Sequence, residues 1–476
     1  MVVAQRFIVA SIGSEHAPPS YWRASSWRGV FGEAIARGYA LFADGSDSSL
    51  ARRLAGAAFL IRVVSAAIAF ISQILLARWM GGYEFGVYVY TWTWVLMIGG
   101  MVDLGLGSAA QRFIPEYTEL RQFGLLRGYL RGSRWLAAII ATGIALLGAI
   151  AVTWLAPHIG PETIIPLYLA CAALPLSGVA QVQSGIARSY NWVNLGLAPV
   201  YIQRQLALLG LMALAYALGL PTDAITATLA GVISLWGVTI GQSVVLNRRL
   251  ARIVEIGTKV YSVPSWLATS TPIFVVEAFY LLLTYADVIV VQQYRPANEV
   301  AIYYAAVKTM ALVAFIYFSV AQTIAHKFAQ YHVAGDRKRL VAFLRQSVRL
   351  TFWPSLGSIV VLLIFGRPLL HLFGRDFVSG YHLMFVIAVG LLARAAVGPA
   401  ERLLNMLGER RSCALVYAGS FALNVVLCVV LIPRLGLLGA AISSAVALVF
   451  ESVSLFAVAK YRLGLHCLIF GAPQER

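Results

Sequence analysis

A chain of 476 residues that is 60% apolar and only 12% charged is too greasy for a soluble globular protein and belongs in a bilayer. Its net charge of +17 would suggest nucleic acid in a soluble protein. Here the basic residues fall in short runs between apolar segments, as at a membrane face, so no nucleic-acid partner is expected.

Residues 1–51 are rich in Ser, Gly, Ala and Arg, and their longest apolar run, Phe7 to Ile12, is too short for a secretory core. They are expected to form a disordered cytoplasmic extension. Beyond them, a ruler of about 20 apolar residues per crossing picks out twelve spans: 54–76, 87–110, 135–156, 163–187, 197–218, 224–246, 266–291, 300–325, 350–365, 381–404, 413–432 and 437–459. These must be helices, because lipid offers backbone groups no partners and no ten-residue alternating pattern suggests a barrel. The expected fold is therefore all-α and polytopic. An N-terminal six-helix bundle (52–247), a cytoplasmic linker (248–263), a C-terminal six-helix bundle (264–463) and a short tail (464–476) divide the chain.

Between the spans, 27 Lys and Arg lie on the side of the N-terminus and 5 on the other. The positive-inside rule then puts both termini in the cytoplasm. Two basic stretches on that side, Arg248 to Lys259 and Asp336 to Arg349, are amphipathic enough to rest on the headgroups. The four cysteines (Cys171, Cys413, Cys428, Cys467) show no CxxC or histidine-paired spacing and are read as packing residues, with no metal site assigned. Trp92, Trp94, Tyr88 and Tyr90 are expected in an interfacial aromatic belt.

A shift of 215 residues places Glu84 on Glu299, Tyr88 on Tyr303, Arg112 on Lys327 and Phe113 on Phe328. Two like-oriented halves with a cavity between them, and substrate handled near the midplane by alternating access, would follow from such a repeat.

The turn GGYEFGVY (Gly81 to Tyr88), the DLGL of Asp103 to Leu106 with Arg112 after it, and the block NVVLCVVLIPRLGLLGAAISSAVA (Asn424 to Ala447) resemble bacterial polysaccharide exporters. These are Wzx-type oligosaccharide flippases of the multidrug/oligosaccharidyl-lipid/polysaccharide superfamily, and the resemblance covers roughly Arg52 to Leu465. It implies a MATE-like fold in the bacterial cytoplasmic membrane. It also implies a lipid-linked oligosaccharide as substrate, with membrane lipids, a polysaccharide polymerase and other assembly proteins as partners.

Ten ionisable residues fall inside the spans, and each costs several kcal/mol at that depth unless paired or wetted, roughly. Arg62 and Arg204 lie roughly 10 to 12 Å in from the cytoplasmic ends of their helices, by the helical rise. Arg394 and Glu277 come out near the midplane. Arg62, Arg204, Arg394 and Lys308 are the candidates for a cationic cavity, since a guanidinium fork suits phosphate. Asp103, Glu277, Asp287 and Glu451 would hold those cations or couple transport to protons or sodium; Asp287 and Lys308 are at comparable depths and could pair. Glu401 and Arg402 are near enough to the helix end to snorkel. Gln181, Gln183, Ser184, Gln203 and Gln205 are read as glue between helices.

No Walker A lysine, nucleophile elbow or HExxH is present, so neither hydrolysis nor any cofactor is expected. The alternatives are a cation-coupled multidrug exporter of the same superfamily and, from another class, a membrane glycosyltransferase or ligase. The first calls for an acidic cavity without several arginines. The second calls for a long outward loop, and the outward loops here are short. A lipid II flippase has two further helices, for which no segments remain.

Overall fold

The computed structural model describes residues 47–317, 320, 328, 330, 331 and 334–469, with residues 47–60 and 62 described by backbone alone. Residues 1–46 of the expected N-terminal extension, Lys327 and the end of the tail lie outside the described residues, as does the side chain of Arg62, while residues 47–51 of that extension already belong to the first helix. What is described is helical throughout, with no strand among the described residues.

Among the described residues, eleven segments are long and apolar enough to cross a membrane. The first helix, α1 (Asp47–Gly99), is two helices joined at Gly81, whose φ of 78° and ψ of 169° no helix accommodates. Its apolar part, Val63–Gly99, has 37 residues, about 55 Å of helix against a 30 Å core. Gly81 falls where the sequence places the turn between the spans 54–76 and 87–110.

The remaining helices follow as α2 (Leu106–Glu119), α3 (Phe123–Leu155), α4 (Pro161–Ser189), α5 (Val193–Ala198), α6 (Arg204–Ala217), α7 (Ala224–Leu250) and α8 (Val263–Tyr294). Then come α9 (Ala297–Met310), α10 (Arg337–Ile364), α11 (Gly366–Phe373), α12 (Tyr381–Val397), α13 (Ala400–Met406), α14 (Arg410–Leu435) and α15 (Leu437–Leu463). Acidic caps start two of them: Asp223 Oδ1 accepts from the Thr226 amide at 2.8 Å and Asp336 Oδ1 from the Arg339 amide at 3.0 Å.

Four sequence expectations change. The span 87–110 is broken after Gly99, where Leu104 (φ 48°) and Gly105 (φ 74°) carry the chain out of helix before α2 begins. The span 197–218 contains a π turn at Pro199–Gln203. Proline has no amide to donate, which loosens the ladder there. The stretch Asp336 to Arg349 is the start of α10 rather than a headgroup-resting loop, because Leu340, Leu344 and Val348 form a stripe that is buried in the protein. Finally, Tyr88, Tyr90 and Trp92 are core residues and not an interfacial belt. Tyr88 stacks on Trp92 at 6.0 Å, since this helix meets the second half of the chain instead of lipid.

Burial is arranged differently at the two ends of the helices. At the end carrying Gly81, Ala224, Ala297 and Gly436, one core joins both halves: Leu76, Val89, Met212 and Ala227 pack with Val300, Leu370, Met384 and Ile432. At the basic end the cores are separate. Leu106, Phe113, Tyr129, Ile186 and Leu246 form one, joined from α8 by Trp266 alone among its fully packed members. Leu344, Val348, Leu403, Val416 and Leu455 form the other.

Candidate functional site

A cavity of about 390 Å³ lies beside the first of these cores, lined by α1 and the break after it, α2, α4, the π turn with the start of α6, α7 and α8. Its polar wall includes Asp103, Ser108, Gln181, Arg188, Arg204, Gln242 and Glu277.

Each side chain is placed by a local feature of the chain. Arg204 is the first residue after the π turn, so the widened turn sets its direction. Among the described residues it forms no ion pair. Arg188 occupies the last turn of α4, where the negative end of the helix dipole favours a cation. Its Nε donates to the Ser184 carbonyl at 3.3 Å, and Gly196 leaves room for its stem where a side chain would clash.

The acids are more committed. Asp103 Oδ2 accepts from the Gly107 amide at 2.9 Å and Oδ1 from the Gly105 amide at 3.3 Å, so the carboxylate caps α2 while facing the cavity. Glu277 Oε1 accepts from the Ser108 hydroxyl at 2.7 Å, which ties α8 to α2. The cations acting on Glu277 are Arg188 and Arg402.

The remaining described candidates lie outside the cavity. Arg394 sits 3.4 Å from Glu451 Oε1, with 17% of its side chain and 1% of the glutamate's exposed. Its guanidinium faces the rings of Tyr280 and Tyr317 at 5.8 and 4.9 Å. Lys308 faces the rings of Tyr304 and Tyr285 at 4.9 and 5.7 Å. Tyr280 and Tyr285 both line the cavity. Two of the four expected cations therefore stand one aromatic ring behind its wall, on the α8 side.

The expected pairing of Asp287 with Lys308 is not formed. Asp287 Oδ2 accepts from Tyr303 at 2.7 Å and Ser444 at 3.0 Å, and Oδ1 from the Val288 amide at 2.8 Å. Neutral donors close at hand satisfy the carboxylate, and the lysine turns to aromatic faces instead. The glue reading fits Gln183, which donates to Ser243 across to α7, whereas Gln181 faces the cavity.

Sequence reading passed over Arg188 because it ended the fourth span at residue 187. The signal was present: Gln181, Ser184 and Arg188 share one helix face at i, i+3 and i+7.

Residues 53–329 match the family model described as polysaccharide biosynthesis protein, and residues 272–430 match the MatE model. No curated relative matches the sequence. Among solved structures, an inward-facing multidrug resistance MATE transporter of the MOP superfamily superposes with a TM-score of 0.70 at 13% identity, over 85% of this chain and 98% of that one. The lipid II flippase MurJ in an inward closed conformation gives 0.66 at 15% identity, over 84% and 87%. A MOP superfamily transporter from Pyrococcus furiosus, described as having a binding pocket of reversed polarity, gives 0.66 at 14% identity, over 89% and 97%. These likenesses show the fold: a MATE-like bundle of helices.

Proposed function

From the premise that the chain belongs to the polysaccharide biosynthesis protein family, we propose that it is a flippase for a lipid-linked oligosaccharide. It carries an undecaprenyl-pyrophosphate-linked glycan from the cytoplasmic to the outer leaflet of the bacterial cytoplasmic membrane, for O-antigen or another surface polysaccharide, and delivers it to the polymerase and assembly proteins. One observation carries this reading: Arg188 and Arg204 face a polar cavity in which the carboxylates are already engaged, Asp103 by backbone amides and Glu277 by Ser108. The Arg204 guanidinium and the two Nη groups of Arg188, whose Nε is spent on the Ser184 carbonyl, suit a diphosphate, which accepts paired N–H bonds from each fork.

The volume of about 390 Å³ suits the diphosphate and first sugars, while the prenyl chain stays in lipid. The division of the core, joined at one end and split at the other, supports alternating access. With both termini in the cytoplasm and twelve crossings, the split end is the inward one. Proton or sodium coupling would act through Glu277, the cavity carboxylate held by a single hydroxyl.

A cation-coupled multidrug exporter is the second reading, favoured by the presence of Asp103 and Glu277 in the same wall. Arg188→Gln and Arg204→Gln separate the two. In a host lacking its own copy, each is expected to abolish surface polysaccharide and accumulate the lipid-linked precursor at an unchanged protein level. Full polysaccharide in both variants removes the flippase reading. Lost resistance to organic cations with normal polysaccharide would establish the exporter.

A further inference from the structure

On another face of α4, that of Leu176, Val179 and Gln183, lies a second, larger hollow of about 710 Å³. Helices α3 and α7 both pack on α4, which floors the groove between them. The connecting segment after α7 closes one end, through Glu255, Ile256, Gly257 and Lys259. That segment is fastened to α3 by main-chain contacts: the Val260 amide donates to the Gly124 carbonyl at 2.9 Å. Arg127 Nε and Nη1 donate to the carbonyls of Thr258 at 2.9 Å and Glu255 at 3.1 Å.

The groove is graded along its length. Arg127, Arg131 and Arg134 occupy the first turns of α3, with Lys259 across from them, and Ala138, Leu176 and Val179 lie deeper. Arg134 is held by the Leu130 carbonyl and Asn247 Oδ1, both at 2.7 Å. Arg131 and Lys259 form no ion pair among the described residues, and the charge of Arg131 bears directly on Arg134. The rim is apolar and uncovered, with Trp135 61% exposed and Ile256 fully so, which places it against lipid at headgroup level. On the α4 side Gln183, 1% exposed, has its Oε1 without a hydrogen-bond partner.

We infer that this groove binds an anionic phospholipid of the inner leaflet, its phosphate on Arg131, Arg134 and Lys259 and an acyl chain along Ala138, Leu176 and Val179. Clustered cations above an apolar floor match the two ends of such a lipid and no soluble anion. Buried Gln183 Oε1 is an acceptor open to a headgroup hydroxyl. The site is separated by α4 from the transport cavity, and one of its walls is the segment that joins the two halves.

The test uses the full chain, purified and delipidated in detergent, with retention of dioleoyl phosphatidylglycerol read by native mass spectrometry. Combined Arg131→Gln and Lys259→Gln, which disturbs none of the hydrogen bonds above, is expected to weaken retention about thirtyfold from the loss of two interfacial charges. Dioleoyl phosphatidylcholine is expected to be retained by neither protein. Ala138→Trp, which keeps every charge and fills the apolar floor, is expected to weaken retention as well. Equal retention of phosphatidylglycerol by wild type and the charge variant would overturn the assignment, and so would equal retention of phosphatidylcholine. Loss in the charge variant with none in Ala138→Trp, or equal thermal stabilisation by inorganic phosphate alone, would mark a free-anion site and reject the lipid.

Discussion

The backbone of Gly86 packs so closely on the carbonyl of Ala297 that no side-chain carbon fits between them. This contact joins α1 of the first half to α9 of the second at the end where the core is shared. Around it, Phe85 meets Tyr304 and Phe377 edge-on at 6.3 and 6.2 Å. Arg78 donates to the carbonyls of Leu372 at 2.6 Å and His371 at 2.9 Å. The seal is mostly main chain and ring packing, which separates as a unit once the backbones part.

Gly86→Ala should therefore force that end apart. Spin labels at the exposed positions Leu220 and Leu435 report the separation by pulsed dipolar spectroscopy. The variant is expected to shift the distance distribution to longer values, with polysaccharide export reduced because return to the closed end is hindered. An unchanged distribution would mean that the seal lies elsewhere.

Arg394 and Glu451 should behave as a structural pair, unlike Arg204. Removing one member of a buried pair strands the other charge, at a cost of about 3–5 kcal/mol. Arg394→Gln and Glu451→Gln are each expected to lower the melting temperature in detergent, and the double variant to recover most of the loss. Arg204→Gln is expected to leave it unchanged. Additive losses in the double variant would show that the pair is not coupled.

The crossings were legible in the sequence because lipid demands long apolar helices and Gly81 supplies a conformation that helix cannot. Gly436, with φ 62°, makes the last turn, next to the Ile-Pro step that carried the family resemblance. The breaks were harder to see. Pro199 and the Gly99–Gly100 pair sit inside apolar runs that a hydropathy ruler reads as continuous, yet they aim Arg204 and Asp103 at the cavity. Pairing was least legible: that Arg394 faces Glu451, or that Asp287 prefers Tyr303 to Lys308, depends on how distant helices rotate about their axes, which no single span encodes.

Asp103 offers a way to separate capping from ion coupling. Asn keeps an oxygen that accepts from the Gly107 amide and loses the charge, whereas Ala loses both. Asp103→Ala is expected to cost about 1 kcal/mol of stability, as for other lost caps, and Asp103→Asn only a fraction of that. If the residue is a cap, Asp103→Asn exports polysaccharide normally. Export lost in Asp103→Asn with stability retained would instead assign it to coupling.

Orientation can be read with cysteines against a quiet background. Cys413 and Cys428 are buried and Cys171 is half-buried within α4. Cys467 lies beyond the last span, where burial pushes its thiol up to about 12. At pH 8 such a thiol stays protonated and labels far more slowly than an exposed one, since labelling follows the ionised form. A cysteine at Lys338, exposed at the start of α10, is expected to resist an impermeant maleimide in intact cells and to react after lysis. A cysteine at Leu220 is expected to react in both. Labelling of the Lys338→Cys variant in intact cells would place the split end of the core outward and reverse the direction from which substrate enters the cavity.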